Sequence, residues 1–464
     1  MVHDKAFYRT IFHIALPVAF QSLLSLLTVV ADDIMVSSIP GGALAEIAAQ
    51  AGVSQVNAIT AFFTATILGL AGGASVLISQ YWGRRDTKRI KMVFSIAAML
   101  CVFVALLFVL VMRLFPQAVV SLVVGENEGQ TARMAAEYMA IACLSYLPFA
   151  LSAALTGMLR AVEVVRVTLY AAIVSLFVNV GLNYVLIFGK LGLPALGVRG
   201  AAIATLCARC AELIIVWIYA FRVQKTVSLR PRDLFRTEKW LVGDYMRYGL
   251  PVAITDMQWS LIGLIKAGII GQMGNAFMAS NNIASSMANL GTMFTFALAG
   301  GASVAVGKAV GAGDYKKAKE YSSTIQLMFL FIGLLMAATV YLLRKPFTGL
   351  YGSAQNPQVF ALSTQMIAIL AVTLIGTTYH ASCFVGINRG AGDSRFVALV
   401  DMICGWLVVL PATALAAFVF KWPLPIVFLC TRIDQCFKWI IAFVRLRGNK
   451  WIKNITRPVE TENA

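Results

Sequence analysis

Charged side chains are scarce in this sequence of 464 residues, since only 13% are charged whereas 59% are hydrophobic. A soluble domain carries about 25% charged residues, so the composition excludes an ordinary soluble protein. The apolar runs are long enough to cross a bilayer and too evenly hydrophobic for barrel strands, which predicts an all-α integral membrane protein with twelve transmembrane helices. The runs lie near residues 14–38, 51–81, 92–112, 136–158, 167–188, 201–221, 249–271, 276–306, 321–343, 361–386, 396–418 and 424–444.

A phosphate-binding loop of the form GxxxxGK[ST] is absent from the sequence, and this disfavours an ATP-driven pump. No loop between the apolar runs is long enough to hold a soluble domain. We predict no catalytic residues and no cofactor, and we expect the protein not to be an enzyme. Energy for any transport should therefore come from an ion gradient, the membrane potential or the substrate's own gradient.

Histidine occurs only three times, and none of the eight cysteines lies outside a predicted span. Cysteines in such positions exclude an extracellular disulfide framework. Cys207 and Cys210 form a CxxC pair on a predicted membrane helix, but no second pair accompanies them. We interpret both as small packing residues rather than as metal ligands or redox groups.

Positive charge is in excess, with a formal net charge of +17, and its distribution indicates the orientation in the membrane. Lys and Arg concentrate in segments 83–91, 222–247 and 445–457, whereas loops 39–50 and 272–275 contain none. This positive-inside bias predicts cytoplasmic termini in a plasma (inner) membrane. The basic surface is expected to contact anionic lipid headgroups rather than nucleic acid.

A duplicated landmark divides the chain into two similar halves. The segment AGGASVLISQYWGRRD at 71–86 recurs as AGGASVAVGKAVGAGD at 299–314. Six spans per half give both halves the same orientation, and so they predict a pseudo-twofold axis along the membrane normal. We therefore predict an N-lobe at 1–221 with helices 1–6, a basic cytoplasmic linker at 222–247, and a C-lobe at 248–464 with helices 7–12 and a short basic tail.

The linker carries Phe235, Trp240, Leu241 and Tyr245 at roughly helical spacing. This pattern favours a short interfacial helix that joins the two halves. A merely solvated linker is the alternative.

An acidic residue, Asp32, lies at membrane depth in the first apolar run. Gln21, Ser25, Thr28 and Asp32 follow each other at i, i+4, i+7 and i+11, which is one face of a helix. Because an ionisable group costs about 3 kcal/mol at this depth, such an acid is read as functional: it can bind a proton, or Na⁺ where oxygen ligands converge. Asp33 points about 100° away, and lies either in the same cavity or near the outer interface.

Three neutral polar residues complement this acid. Asn179 and Asn183 lie one helical turn apart in the fifth span, and Thr205 lies in the sixth. With Asp32 they form an all-oxygen set suited to a hard cation such as Na⁺. Paired Asn residues also pack helices by hydrogen bonding, so a purely structural role is the alternative.

The second half departs from the first at this place. Lys266 occupies the position equivalent to Asp32, and the Asn pair has only apolar counterparts. Lys266 is predicted to neutralise an acid such as Asp256, attract an anionic substrate or extend to the interface. Charged residues on the last span of each half are predicted to have a structural ion-pair role near the cytoplasmic side, a role in transport being the alternative. They are Arg209 with Glu212, Arg432 with Asp434 or Gln435, and Lys438. A substrate cavity between the halves is predicted to be lined by Gln21, Ser25, Thr28, Asp33, Gln258, Lys266, Asn281 and Asn282, helix packing being the alternative.

Several segments in this order resemble the multidrug and toxic compound extrusion (MATE) family of cation-coupled antiporters, over about residues 8 to 452. The segments are ADDIMV at 31–36, AGGAS ahead of GxxD, LFVNVGLNYVLIFGKLGLPALGVRGAAIAT at 176–205, RGAGDSR at 389–395, and RGNKW after the last span.

The resemblance implies two six-helix lobes that form a V. It also implies that Asp32 is the acid whose protonation or Na⁺ binding drives the cycle, and that Asn179, Asn183 and Thr205 cluster with it. Other family branches have acids in the seventh and tenth helices. This chain has neither acid at the matching positions; its seventh helix carries the unusual Lys266, and its tenth span has only His380.

We therefore predict a monomeric, H⁺- or Na⁺-coupled exporter of a small organic molecule that works by alternating access. A flippase for a lipid-linked sugar and a sensor that no longer transports are the alternatives.

Overall fold

A computed structural model describes residues 5–39, 43–124, 129–351 and 356–457. The described residues form helices joined by short turns, and none of them lies in a β-strand. The prediction of an all-α chain is therefore confirmed.

In the described part of the chain, the first half contains eight α-helices, of which the third, seventh and eighth begin and end within about five residues of the spans predicted at 92–112, 167–188 and 201–221. The eight are α1 Lys5–Val36, α2 Ala43–Gly83, α3 Thr87–Leu114, α4 Pro116–Val124, α5 Gly129–Ala142, α6 Tyr146–Ala161, α7 Arg166–Phe188 and α8 Val198–Ile218.

Within the described ranges, the second half contains nine α-helices, and the predicted spans at 396–418 and 424–444 are each divided between two of them. The nine are α9 Lys239–Tyr248, α10 Leu250–Gly271, α11 Asn275–Gly311, α12 Tyr315–Leu350, α13 Pro357–Ala381, α14 Ser394–Met402, α15 Leu410–Ala414, α16 Leu424–Cys430 and α17 Lys438–Arg447.

Ten helices in the described ranges are long and apolar enough to cross a membrane. The predicted spans at 249–271 and 424–444 are the two that are not among them. The first of these is α10, which carries three strongly polar residues, Asp256, Gln258 and Lys266. The second is interrupted, because α16 ends at Cys430 and α17 begins only at Lys438, with a 3₁₀ turn between them.

Two compact units make up the chain. The first unit comprises Phe20–Ser75 and Thr87–Tyr245, and the second comprises Met1–Ala19, Val76–Asp86 and Met246–Ala464. The unit boundaries thus cut α1, α2 and α9. The lobe boundaries drawn from the sequence, at 221 and 248, stay a prediction.

The two copies of the duplicated landmark contact each other in the second unit, near Gly83 and Gly311. A Cβ on Gly83 would lie 2.1 Å from the Lys308 carbonyl oxygen, and one on Gly311 would lie 1.9 Å from that of Gln80. Both glycines close a long helix, and each admits the backbone of the other helix where no side chain would fit. The repeated Gly positions therefore form a close crossing of the ends of α2 and α11.

The linker forms the predicted short helix, α9, most of which lies in the first unit. Leu241 and Tyr245 lie one turn apart and are fully buried, and the Tyr245 hydroxyl donates to the Leu70 carbonyl at 2.8 Å. Ahead of α9, the Asp233 carboxylate accepts the Arg230 N–H at 2.9 Å and lies 3.2 Å from Lys91 Nζ. Burial opposes the charge of Asp233, but these two contacts still lower its pKa.

Candidate functional site

Two of the four side chains in the polar stripe on α1 are satisfied by their own helix, whereas the buried Gln21 Oε1 has no hydrogen-bond partner among the described residues. The Ser25 hydroxyl donates to the Gln21 carbonyl at 3.0 Å, and the Thr28 hydroxyl donates to the Leu24 carbonyl at 2.9 Å. Both hydroxyls are thus satisfied by their own helix, as is common for Ser and Thr in apolar helices. Among the described residues, Asp32 is the one side chain of this stripe that has a hydrogen bond to another helix.

Asp32 meets the two asparagines of α7. Asn183 Nδ2 donates to the Asp32 carboxylate and also to Asn179 Oδ1, the latter at 3.2 Å, and Asn179 lies close enough to Asp32 to influence its charge. Asn179 and Asn183 are 1% and 0% exposed. Because residues four apart share one helix face, α7 presents both amides to the acid. The structure therefore brings together three of the four predicted coupling residues.

Thr205 belongs to the same cluster through a residue that the sequence analysis missed. Its hydroxyl donates to the Ala201 carbonyl at 3.0 Å and interacts with the Tyr138 hydroxyl. Tyr138, on α5, is buried and also lies within the electrostatic reach of Asp32. Tyrosine is common in apolar spans, so its presence alone does not indicate a functional role. The one available signal is that a buried tyrosine hydroxyl needs a hydrogen-bond partner.

The cluster offers oxygen atoms rather than a transition-metal site. In the described part of the chain, no three His, Cys, Asp or Glu side chains group as metal ligands. Asn183 Oδ1 is buried and has no hydrogen-bond partner among the described residues. An orphaned amide oxygen beside a carboxylate suits a proton donated by the acid, or a hard cation such as Na⁺.

Of the two other charges near the cluster, Arg209 is compensated and Asp33 is exposed. Arg209 lies within electrostatic reach of Asp32, but its guanidinium pairs with Glu212 at 2.9 Å and stacks over Phe149 at 4.9 Å. Asp33, adjacent to Asp32, is exposed. The predicted ion pair of Arg209 with Glu212 is present.

The remaining cavity candidates lie in the second unit. Gln258 is buried, and neither polar atom of its side chain has a partner among the described residues. Asn281 is partly exposed and Asn282 is exposed on α11. Lys266 Nζ donates to the Thr431 carbonyl at 3.4 Å. A cavity shared by these residues and the α1 stripe stays a prediction.

Two of the pairings considered for charged residues of the second half are absent, although the predicted ion-pair role of Asp434 and Lys438 is confirmed. Asp256 pairs with Arg389 at 3.0 Å rather than with Lys266, because ten residues separate Asp256 and Lys266 along one helix, about 15 Å of rise. Arg432 does not pair with Asp434, whose carboxylate pairs with Lys438 at 3.3 Å, and instead donates to the Thr373 hydroxyl at 3.2 Å.

Known proteins of similar sequence are transporters. The sequence model of the MatE family matches residues 17–185 and 251–440. A probable multidrug resistance protein NorM of Agrobacterium fabrum is 27% identical over 367 residues, which cover 77% of each chain. The uncharacterized transporter YisQ of Bacillus subtilis is 24% identical over 455 residues, 97% of this chain and 96% of its own.

Solved structures share the fold over almost the whole chain. An outward-facing MATE transporter of the MOP superfamily has a TM-score of 0.84 at 18% identity and covers 97% of both chains. A MOP superfamily transporter from Pyrococcus furiosus, described as having a binding pocket of reversed polarity, has a TM-score of 0.84 at 19% identity and covers 97% of both chains. The predicted fold of twelve transmembrane helices in two six-helix lobes is therefore confirmed.

Proposed function

This chain belongs to the MatE family of multidrug efflux transporters, and we propose that it exports small organic compounds by antiport with H⁺ or Na⁺, the two lobes giving alternating access to a substrate site. The protein works as a monomer in the plasma (inner) membrane, with cytoplasmic termini. It needs no cofactor besides the coupling ion.

The contact of Asp32 with Asn183 and Asn179 carries this proposal. An acid within a membrane span is costly unless it is paired or functional. Asp32 is held by neutral amides rather than by a salt bridge, so its negative charge stays available to a cation that enters from water. The partners fix its position without cancelling its charge.

Proton binding would rearrange this cluster. A protonated carboxylic acid donates one hydrogen bond, whereas a carboxylate only accepts. The proton on Asp32 would find an acceptor in Asn183 Oδ1, whose lone pairs are free. Such a change reverses the direction of one hydrogen bond between α1 and α7, and it gives the ion a way to bias the position of α1.

Sodium would use the same atoms differently. Its ligands would come from the Asp32 carboxylate, the amide oxygens of Asn179 and Asn183, and the hydroxyl of Thr205. Hard cations favour such oxygens. Either ion would neutralise Asp32, and we propose that neutralisation is the event that releases the transported compound.

Transport in proteoliposomes tests the proposal. The full-length protein is reconstituted, and export of a cationic fluorescent dye and of candidate metabolites is followed under a pH gradient alone or a Na⁺ gradient alone. One of the two gradients should drive wild-type export, which identifies the coupling ion. The Asp32→Asn variant should show only the leak of protein-free liposomes, because a neutral amide cannot exchange charge with the ion.

Glu320→Gln is the matched control, since it removes a carboxylate that is exposed at the start of α12. It should transport like the wild type. Gradient-independent export that Asp32→Asn leaves unchanged would contradict the coupling mechanism.

A further inference from the structure

The twelfth span is broken where the second unit buries its charges. Between α16 and α17, residues 431–437 leave the α-helix, and the backbone there passes so close to α13 that a Cβ on Gly376 would lie 2.1 Å from the Gln435 carbonyl oxygen. Interrupted helices in membranes occur where the backbone is buried in protein or lines a cavity. In transporters they commonly form the binding sites for substrates and ions.

Neighbouring spans are distorted in the same part of the sequence. A π-helical segment, Ser382–Arg389, follows α13, and a second one, Ile403–Val409, follows α14. Such segments are rare in helices and are frequently found at functional sites. His380 and Asp401, which face the broken span, lie just before these two segments.

Lys438 forms ion pairs with both acids of this region, Asp401 and Asp434. Its ammonium lies 2.5 Å from Asp401 Oδ1 and 3.3 Å from Asp434 Oδ2, and it stands over the Trp259 ring at 4.7 Å. The side chains of Lys438 and Asp434 are each only 2% exposed. This triad is therefore closed to solvent and carries one net negative charge.

Two more cations stand beside the triad without an ion-pair partner among the described residues. Among these residues, the Lys266 ammonium donates only to the Thr431 carbonyl, and the Arg432 guanidinium donates only to the Thr373 hydroxyl. Lys266 and Arg432 lie close enough to repel each other, and both are attracted by the negative charge of Asp434. Unlike Lys438, both are partly exposed.

The charges of this group do not cancel. Lys266, Arg432 and Lys438 supply three positive charges, and Asp401 and Asp434 supply two negative ones, which leaves one positive charge. A buried or partly buried cation without a counter-charge is destabilising. One monoanion between Lys266 and Arg432 would balance the group, and Arg is well suited to bind a carboxylate.

We infer that Lys266, Arg432 and the broken twelfth span form a binding site for a single monoanionic group, either the carboxylate of an organic solute or a halide ion. This site lies in the second unit and does not depend on ion coupling at Asp32. It gives the protein a preference for solutes that carry one negative charge, whether or not they also carry a positive charge.

Equilibrium binding to the full-length protein in detergent tests the inference without any gradient. Calorimetric titrations in a MOPS buffer use sodium chloride, sodium acetate and sodium benzoate in turn. The wild type should show one saturable site, and Lys266→Gln and Arg432→Gln should each weaken binding about tenfold or more, since each removes a charge-assisted hydrogen bond. Lys266→Arg should stay within about threefold of the wild type.

Two control variants make the result specific. Lys421→Gln removes an exposed lysine from the loop before α16 and should bind the anion like the wild type. Asp32→Asn should also retain anion binding, so that a failure of the coupling proposal leaves this one standing. Chloride bound as tightly as benzoate would identify the ligand as a halide, whereas benzoate preferred tenfold would identify it as a carboxylate.

Protection of Lys266 in the wild type provides a test that needs no variant. Amine acetylation followed by mass spectrometry should modify Lys266 more slowly when a saturating anion is present, and Lys421 at an unchanged rate. The inference is overturned if no anion binds saturably, if both glutamine variants bind like the wild type, or if anions leave the modification of Lys266 unchanged.

Discussion

The two halves of this transporter place opposite charges in equivalent helices. On α1, Asp32 is held by the neutral amides of α7, whereas on α10, Lys266 stands beside Arg432 and a closed triad of Lys438 with two aspartates. Neutral partners position a charge and leave it free, but a salt bridge cancels it. We therefore propose that the first half receives a cation and the second half an anion.

The duplicated landmark, by contrast, has the same packing role in both halves. Gly83 and Gly311 occupy equivalent places in the repeat, and each accepts the backbone of the other helix. The duplication therefore maintains helix packing, while the polar residues carried on it have diverged. Four changes would break or sharpen this comparison, beginning with the largest expected effect.

Lys438→Met should destabilise the second unit most. It leaves Asp401 and Asp434 buried without a counter-charge, and removal of one partner from such a group costs about 3–5 kcal/mol. Asp32→Asn, whose partners are neutral, should change the free energy of unfolding by no more than about 1 kcal/mol. Thermal unfolding in detergent measures both, with Lys421→Met as the control. Equal losses of stability in the two variants would contradict the distinction between charges that are cancelled in a salt bridge and a charge that is held by neutral partners.

Gly311→Ala should be the next most damaging change. Its Cβ would overlap the Gln80 carbonyl oxygen, and overpacking of this kind costs about 1–3 kcal/mol. Gly300→Ala lies on the same helix with open space around the new methyl group, so it should be neutral or stabilise the protein by up to about 1 kcal/mol. Comparison of their unfolding temperatures checks this, and similar values would mean that the crossing of α2 and α11 is loose.

Tyr138→Phe should weaken ion coupling without abolishing it. The variant keeps the ring and loses one hydroxyl beside Thr205, and one hydrogen bond contributes about 1 kcal/mol, or roughly a fivefold change in binding. The gradient ion should therefore reach half-maximal effect at a concentration about fivefold higher. Tyr184→Phe, which alters an exposed tyrosine on α7, is the control. An unchanged ion dependence would exclude Tyr138 from the cluster.

Asp233→Asn should have the smallest effect, because it changes a single charge contact between the linker and α3. It loses the charge contact with Lys91 and should cost about 1 kcal/mol or less. Since the folded-state pKa of Asp233 lies below its usual value, the contribution is present above about pH 4 and is lost as the pH falls through the lowered pKa. Unfolding measured from pH 8 to pH 3 should show the wild type and the variant converging at the acidic end. Convergence near neutral pH would contradict the assignment.

Much of the fold was predictable because a bilayer imposes a simple length rule. Spans such as α7 begin and end within one or two residues of the prediction, since apolar runs must match the membrane thickness. The twelfth span was not predictable in detail, because its composition is that of a continuous helix, and the interruption depends on burying Asp434 and Lys438 against Asp401.

The candidate site shows the same division. Asp32, Asn179 and Asn183 were chosen from polarity and helical spacing, and α1 and α7 bring them together. Tyr138 was missed because its hydroxyl matters only through a neighbour distant in sequence. The pairing of Asp256 was predicted wrongly because Arg389, its actual partner, lies 133 residues further along the chain.

The sequence by itself determined the membrane location of this protein, its helical class, its internal duplication and the opposite signs at Asp32 and Lys266. These follow from composition, run length and periodicity, which act locally along the chain. Only the tertiary structure decided which charges are cancelled and which stay available. That outcome depends on distances between helices remote in sequence, where a few ångströms separate a closed ion pair from an open binding site.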